Sequence, residues 1–304
     1  MHAPAALPAP DSFPTPMETV PMNRIDRRTF LSASIAGAGL ALAPALARAQ
    51  AAGLTLAEIR KSGELRIGCE AAYVPFTYRD QGRIVGYDVE LAEIFCKTLG
   101  VKASFIDTAW AGVIPALYAK KFDIIMSSMS YTAERVKRVA FSIPYAEASQ
   151  ALLVRAGDAG TIRGVKELNG QVVAVKLGSP GQILQERINK ELTAAGGAGF
   201  KEVRVFDDHP AAYIALAQNR VDAVFNTVPT LAMVLRDAPK TYAMVQGIGS
   251  DNWAGIAARM EDKEIVAFLD GELMRMRKDG SLGALQRKWF GFEMKLIDRV
   301  PTFG

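Results

Sequence analysis

The chain has 304 residues, half of them hydrophobic and 22% charged, with a net charge of +4. That length buries one or two sizeable cores. A charge this small, without a clustered basic face, excludes a nucleic-acid binder.

The first element in chain order is an export signal. Arg27-Arg28-Thr29-Phe30-Leu31 precedes an apolar, small-residue run from Ala33 to Ala47, and Ala47-Arg48-Ala49 offers a cleavage site before Gln50. Residues 1–49 therefore read as a disordered leader and a signal peptide, and the paired arginines point to the twin-arginine route and the periplasm. A membrane anchor is the alternative. The run is short and rich in Gly and Ala, which speaks against it. Either Met1 or Met22 serves as the start.

From there strand and helix signals alternate. Leu65–Cys69 is predicted as a strand. Asp88 is expected to cap a helix carrying Leu91, Ala92, Ile94, Phe95 and Leu99 on one face and ending at Gly100. Val101–Ile106 is a second strand, Gly112–Ala119 a helix with Pro115 in its first turn, and Phe122–Met126 a third strand. This βαβαβ order predicts a parallel sheet covered by helices. The pattern then restarts: strand Val172–Val175, a helix after Gly178 with Leu184, Ile188 and Leu192, strand Val203–Phe206, helix Ala211–Gln218 and strand Val221–Phe225. Residues 116–126 and 215–225 form a weak repeat in which a helix ends at a basic residue and an apolar–Asp–apolar strand follows.

The expected fold class is therefore α/β, with two similar lobes. Tyr145–Val154 and Val245–Ile256 read as two crossing strands that act as a hinge. Lys263–Phe290 reads as helical and returns to the first lobe. The expected domains are residues 54–147 plus 251–304 for lobe I and 148–250 for lobe II. Cys69 and Cys96 fall at opposite ends of the first sheet, so free thiols are expected.

In open parallel sheets ligands sit past the carboxyl ends of the strands, and two facing lobes make a cleft there. Those positions hold Glu70, Tyr73, Trp110, Ser128, Met129, Ser130, Arg135, Lys176, Ser179, Asn226 and Thr227. Arginine grips a carboxylate with two parallel hydrogen bonds. Gly178-Ser179 precedes a helix whose amides favour an anion. Tyr73 and Trp110 offer flat faces to an apolar or cationic group. Taken singly, each has a plainer reading. Arg135 lies in a charged run, Tyr73 and Trp110 suit a core, a serine-rich stretch suits a turn, and His209 beside Pro210 suits a structural place at a helix start. No Cys/His cluster has metal spacing and no phosphate-binding glycine loop occurs, so neither cofactor nor metal is expected.

The motifs in order are Tyr73-x-Pro75-Phe76, Gly86-Tyr87-Asp88-Val89-Glu90-Leu91-Ala92, Ile114-Pro115-Ala116-Leu117, Phe122-Asp123-Ile124-Ile125, Ser130-Tyr131-Thr132-Ala133-Glu134-Arg135 and Lys278-Asp279-Gly280-Ser281. Through these the chain resembles the extracellular solute-binding proteins of family 3, from about Leu56 to Phe292. The resemblance implies a periplasmic-binding-protein-like fold and a periplasmic component of an ABC importer. That component is a monomer, does no chemistry, and closes on a small carboxylate-bearing solute, an amino acid above all, before meeting an inner-membrane permease.

The resemblance also implies site roles. Arg135 is the carboxylate anchor, and Tyr73 and Trp110 sandwich the ligand side chain. Ser128, Met129 and Ser130 lie on the contacting segment. Glu70 falls where some basic-amino-acid binders place an acid, and Ser179 lies in the second-lobe turn. Two positions depart from the pattern: Pro180 replaces a second hydroxyl residue, and Thr227 replaces an aspartate that pairs with the ligand's ammonium. Asn226 or Asp208 is the candidate substitute for that aspartate. The departures leave two other readings in view, an enzyme resembling periplasmic cyclohexadienyl dehydratases and a sensor domain serving a separate membrane partner.

Overall fold

The computed structural model describes residues 53–303, so the expected signal segment, 1–49, lies outside the described residues. Among the described residues no helix is long and apolar enough to cross a membrane.

The chain enters through helix α1 (Leu56–Ser62), whose Thr55 and Glu58 form a reciprocal capping box. Three parallel strands follow, β1 (Glu64–Cys69), β5 (Lys102–Asp107) and β6 (Ile124–Ser130), joined by helix α2 (Tyr87–Leu99) and the short helix α3 (Val113–Tyr118). Between β1 and α2 lies a small antiparallel sheet of β2 (Ala72–Tyr73), β3 (Thr77–Asp80) and β4 (Arg83–Val85). The first main sheet is completed late in the chain. Strand β14 (Trp253–Ala258) inserts antiparallel between β6 and β7 (Ala140–Phe141), and β8 (Ala146–Glu147) also pairs with it.

The second sheet runs in the order β11 (Glu202–Phe206), β10 (Val172–Lys176), β12 (Ala223–Thr227), β9 (Gln150–Arg155) and β13 (Tyr242–Val245). β10, β11 and β12 are parallel, and β9 and β13 are antiparallel additions at one side. Helices α4 (Pro180–Ala194), α5 (His209–Ala217) and α6 (Val228–Asp237) connect them. Each sheet carries an apolar cluster on both faces, and β6 and β12 are buried at every residue, as parallel strands between helix layers are. The last helices, α7 (Lys263–Lys278) and α8 (Ser281–Phe290), separated at left-handed Gly280, place Ile265, Leu269, Leu273 and Phe290 against Leu65 and Ile67 of the first sheet.

The chain passes from the first sheet to the second between Glu147 and Gln150, and returns between Val245 and Trp253. The two crossings lie side by side: the Ala148 amide donates to the Asn252 carbonyl at 2.8 Å, and the Asn252 amide to the Ser149 hydroxyl at 3.2 Å.

The sequence repeat is also a structural one. Lys120 and Asn219, paired in the alignment, both adopt left-handed backbone at φ 57°. Three residues on, the Asp123 carboxylate accepts from the Arg66 amide at 3.0 Å and Asp222 accepts from the Val172 amide at 2.9 Å. Each aspartate thereby supplies an acceptor to the edge of its sheet where the ladder begins.

Two local expectations are corrected. Asp88 is not a helix cap. The first amides of α2, at Tyr87 and Asp88, donate instead to the Pro75 and Phe76 carbonyls at 2.9 and 3.0 Å. The Asp88 carboxyl is fully buried and accepts from the Ser128 amide at 3.1 Å. Ser127–Ser130 is not a turn after β6 but its final residues, held in the sheet by Met129 and Ser130 pairing with Gly255 and Ala254. Cys69 and Cys96 are both free and buried.

Candidate functional site

The carboxyl ends of the parallel strands in both sheets converge. The first sheet contributes the end of β6 with Ser127, Ser128 and Ser130, the hairpin residue Tyr73, and Trp110 from a single 3-10 turn. The second contributes Lys176 at the end of β10, Ser179 and Pro180 at the start of α4, His209 at the start of α5, and Asn226 and Thr227 at the end of β12. With Gln150 these line one small cavity of about 20 Å³, room for roughly a water molecule.

The lining is polar but nearly dry. The Tyr73 hydroxyl spans from the first sheet to the second, bonding Asn226 Oδ1 at 3.2 Å and Thr227 Oγ1 at 3.0 Å. Burial pushes this phenol up to about 12, so it stays protonated and able to donate. Thr227 Oγ1 donates onward to Thr230 at 3.1 Å. The Asn226 side chain donates to the Tyr213 hydroxyl and accepts from the Thr227 amide. Asp208, the other candidate to replace the missing acid, caps α5 by accepting from the Ala211 amide at 2.9 Å. Ser128 sits in left-handed backbone at φ 48°, and its buried hydroxyl has no hydrogen-bond partner among the described residues.

Arg135 begins a 3-10 turn beyond β6. Its Nη1 donates to the Ser130 carbonyl and its Nη2 to the Gly178 carbonyl, each at 2.9 Å, so it bridges the two sheets. The guanidinium lies 5.1 Å from the Trp110 ring centroid. Among the described residues no carboxylate pairs with it; neighbouring Glu134 pairs with Arg138 instead. Desolvation pulls its pKa down to about 10, which leaves it charged at neutral pH. Trp110 Nε1 donates to the same Gly178 carbonyl at 3.0 Å. Arg135 does not line the cavity described above. With Met129, Trp110 and Ser179 it borders a larger opening of about 310 Å³ beside it.

The helix start expected to hold an anion is largely occupied by its own chain. The Gly178 amide donates to Gln182 Oε1 at 2.7 Å, the Ser179 hydroxyl accepts from the Gln182 amide at 3.3 Å, and Pro180 has no amide hydrogen.

Glu70 is buried and forms an ion pair with Lys176. Desolvation raises the Glu70 carboxyl and lowers the Lys176 ammonium, and the pairing opposes both shifts. Lys176 also lies 4.8 Å from the Trp110 centroid and 5.2 Å from that of Tyr73. The sequence reading placed Lys176 past a strand but gave it no role. Ser127, Gln150 and His209 were likewise missed as lining residues. The His209 ring stacks between Tyr73 and Tyr213, and among the described residues neither ring nitrogen has a well-aligned partner. Burial and the nearby Lys176 hold its pKa well below the usual histidine range.

Residues 65–292 match the bacterial extracellular solute-binding proteins, family 3. The chain belongs to that family. It is 30% identical over 240 residues to the L-cystine-binding protein TcyJ of Escherichia coli K12, covering 79% of this chain and 87% of that one. The histidine-binding periplasmic protein of Escherichia coli K12 is 30% identical over 243 residues, 76% of this chain and 88% of its own. Among solved structures, the ancestral amino acid-binding protein AncCDT-1, a precursor of cyclohexadienyl dehydratase, superposes with a TM-score of 0.69 at 36% identity, over 77% of this chain and 99% of its own.

Proposed function

We propose that this family 3 protein is the solute-binding component of an ABC importer of amino acids. On this reading residues 54–147 with 251–304 and residues 148–250 are two lobes that close on a carboxylate-bearing solute by bending at the paired crossings. The observation that carries it is Arg135. A charged guanidinium that has no counter-ion among the described residues stands between the two sheets, beside an opening lined from both, bonded to neutral carbonyls. A carboxylate arriving there replaces bonds to neutral carbonyls with a bidentate pair between opposite charges.

Ser128, with its unpartnered hydroxyl, and Ser130, Ser179, Asn226 and Thr227 then complete the polar shell. Tyr73, Trp110 and Met129 supply the apolar walls. Glu70 acts through Lys176. Residues 1–49 serve as a twin-arginine signal that delivers the folded protein to the periplasm, where it works as a monomer with a membrane permease. Relatives named for binding cystine and histidine support the amino-acid class.

A thermal-shift screen over amino acids and their deaminated analogues tests this. The expected result is a rise in melting temperature with at least one amino acid. A flat response across the panel refutes it. A second reading, a cyclohexadienyl dehydratase-like enzyme, draws on AncCDT-1 and on the neutral Thr227 at the expected acid. Against it, Glu70 is committed to Lys176, and His209 is held neutral, unable to donate as an acid from its charged form. Appearance of phenylpyruvate on incubation with prephenate favours the enzyme.

A further inference from the structure

A site for a cationic side chain needs three things: an acid to neutralise the charge, aromatic faces to stabilise it without water, and exclusion of solvent. All three are present in this cleft. Glu70 is the acid, Tyr73 and Trp110 are the faces, and each of the three is less than a tenth exposed. The position is already taken. The Lys176 ammonium pairs with Glu70, lies about 5 Å from both ring centroids (5.2 and 4.8 Å), and is itself 3% exposed.

We infer that Lys176 is a built-in occupant of a cation subsite, and that it makes the cleft discriminate against solutes with a cationic side chain in favour of neutral or acidic ones. A ligand ammonium or guanidinium reaches Glu70 only by displacing Lys176. The displaced lysine then loses its one ion-pair partner among the described residues, in a dry pocket where Arg135 repels it and Asp208, which caps α5, attracts it only from a distance. A neutral side chain contacts the outer surface of the intact pair and avoids that cost. An acidic one meets Lys176 with favourable sign.

This inference rests on the solute-binding reading and is tested by calorimetry on the full mature protein with arginine, lysine, glutamine, glutamate and cystine. The wild type is expected to bind arginine at least about a hundredfold more weakly than its best non-cationic solute. Lys176→Met removes the resident cation and leaves Glu70 unpaired, and is expected to raise arginine affinity at least about tenfold. The double variant Glu70→Gln/Lys176→Met removes both charges at nearly constant volume, and is expected to lose that gain while keeping a cooperative melt. The inference is overturned if wild type binds arginine as tightly as any neutral solute. It is equally overturned if Lys176→Met, melting cooperatively, gains no arginine affinity. Should Lys176→Met not fold, the wild-type ratio decides by the same criterion. If the wild type responds to no solute in the wider thermal-shift screen, the solute-binding reading fails and takes this one with it.

Discussion

Replacing Arg135 by alanine isolates the anchor. In the absence of solute the guanidinium makes two 2.9 Å bonds to the Ser130 and Gly178 carbonyls and a contact with the Trp110 face. A bound carboxylate converts this into a bidentate charged pair, each bond of which contributes about 1.5–3 kcal/mol. Losing both is a loss of about 3–6 kcal/mol, and every 1.4 kcal/mol is a factor of ten, so affinity falls by roughly two to four orders of magnitude. Arg135→Lys keeps the charge without the planar fork and is expected to recover less than half of that free energy. Isothermal titration with the solute giving the largest thermal shift measures both. Circular dichroism and a cooperative melt establish that the variants are folded. A Kd for Arg135→Ala within threefold of wild type refutes the assignment.

Three further outcomes are expected. Burial raises the Asp88 carboxyl from 3.8 to about 7, against hydrogen bonds from Tyr145 and Ser128 that lower it. The folded state holds this proton more tightly than the unfolded chain, so its contribution to stability is full below about pH 4 and is lost as pH rises through about 7. Relative to Asp88→Asn, the wild type should therefore lose up to about 4 kcal/mol between pH 4 and 8.5 in urea titrations; a constant gap contradicts this. At Gly86, φ is 137° and an added Cβ would lie 2.1 Å from the Phe76 carbonyl oxygen, whereas at Gly63 nothing lies within 4 Å. Gly86→Ala should cost about 3 kcal/mol or more and Gly63→Ala only about 1, read from denaturation midpoints. Trp110→Phe keeps the ring but removes the 3.0 Å bond to Gly178. It should speed solute release about fivefold in stopped-flow, the equivalent of about 1 kcal/mol, and an unchanged rate argues that this bond does not hold the closed form.

The alternation of strands and helices was legible because both sheets are parallel at their centres and their strands are apolar runs. The repeat was legible for a stronger reason. A left-handed residue followed by an aspartate that serves the neighbouring strand is a local device, and it recurs at Lys120–Asp123 and Asn219–Asp222. What was illegible depended on distant chain. Asp88 looked like a cap because aspartate before an apolar helix usually is one. The backbone of Pro75 and Phe76 had already satisfied the amides, and that freed the carboxyl to turn inward. Ser127–Ser130 looked like a turn because its partner, β14, lies more than a hundred residues on. Lys176 stood past a strand without a role, since nothing within reach in sequence announces that Glu70, 106 residues earlier, stands opposite.

The insertion of β14 sets a timetable for the molecule. The second sheet is drawn from one continuous stretch, residues 150–245, and all its strands exist once that stretch has been made. The first sheet cannot close until residue 258 arrives, and its covering helices are not complete until residue 290. A nascent chain that has emerged as far as residue 250 therefore holds a finished half and an open one whose β6 edge is still unpaired, the kind of surface on which chaperones act and aggregation starts. Truncations near the C-terminus should for that reason damage the half made first and spare the half made in the middle.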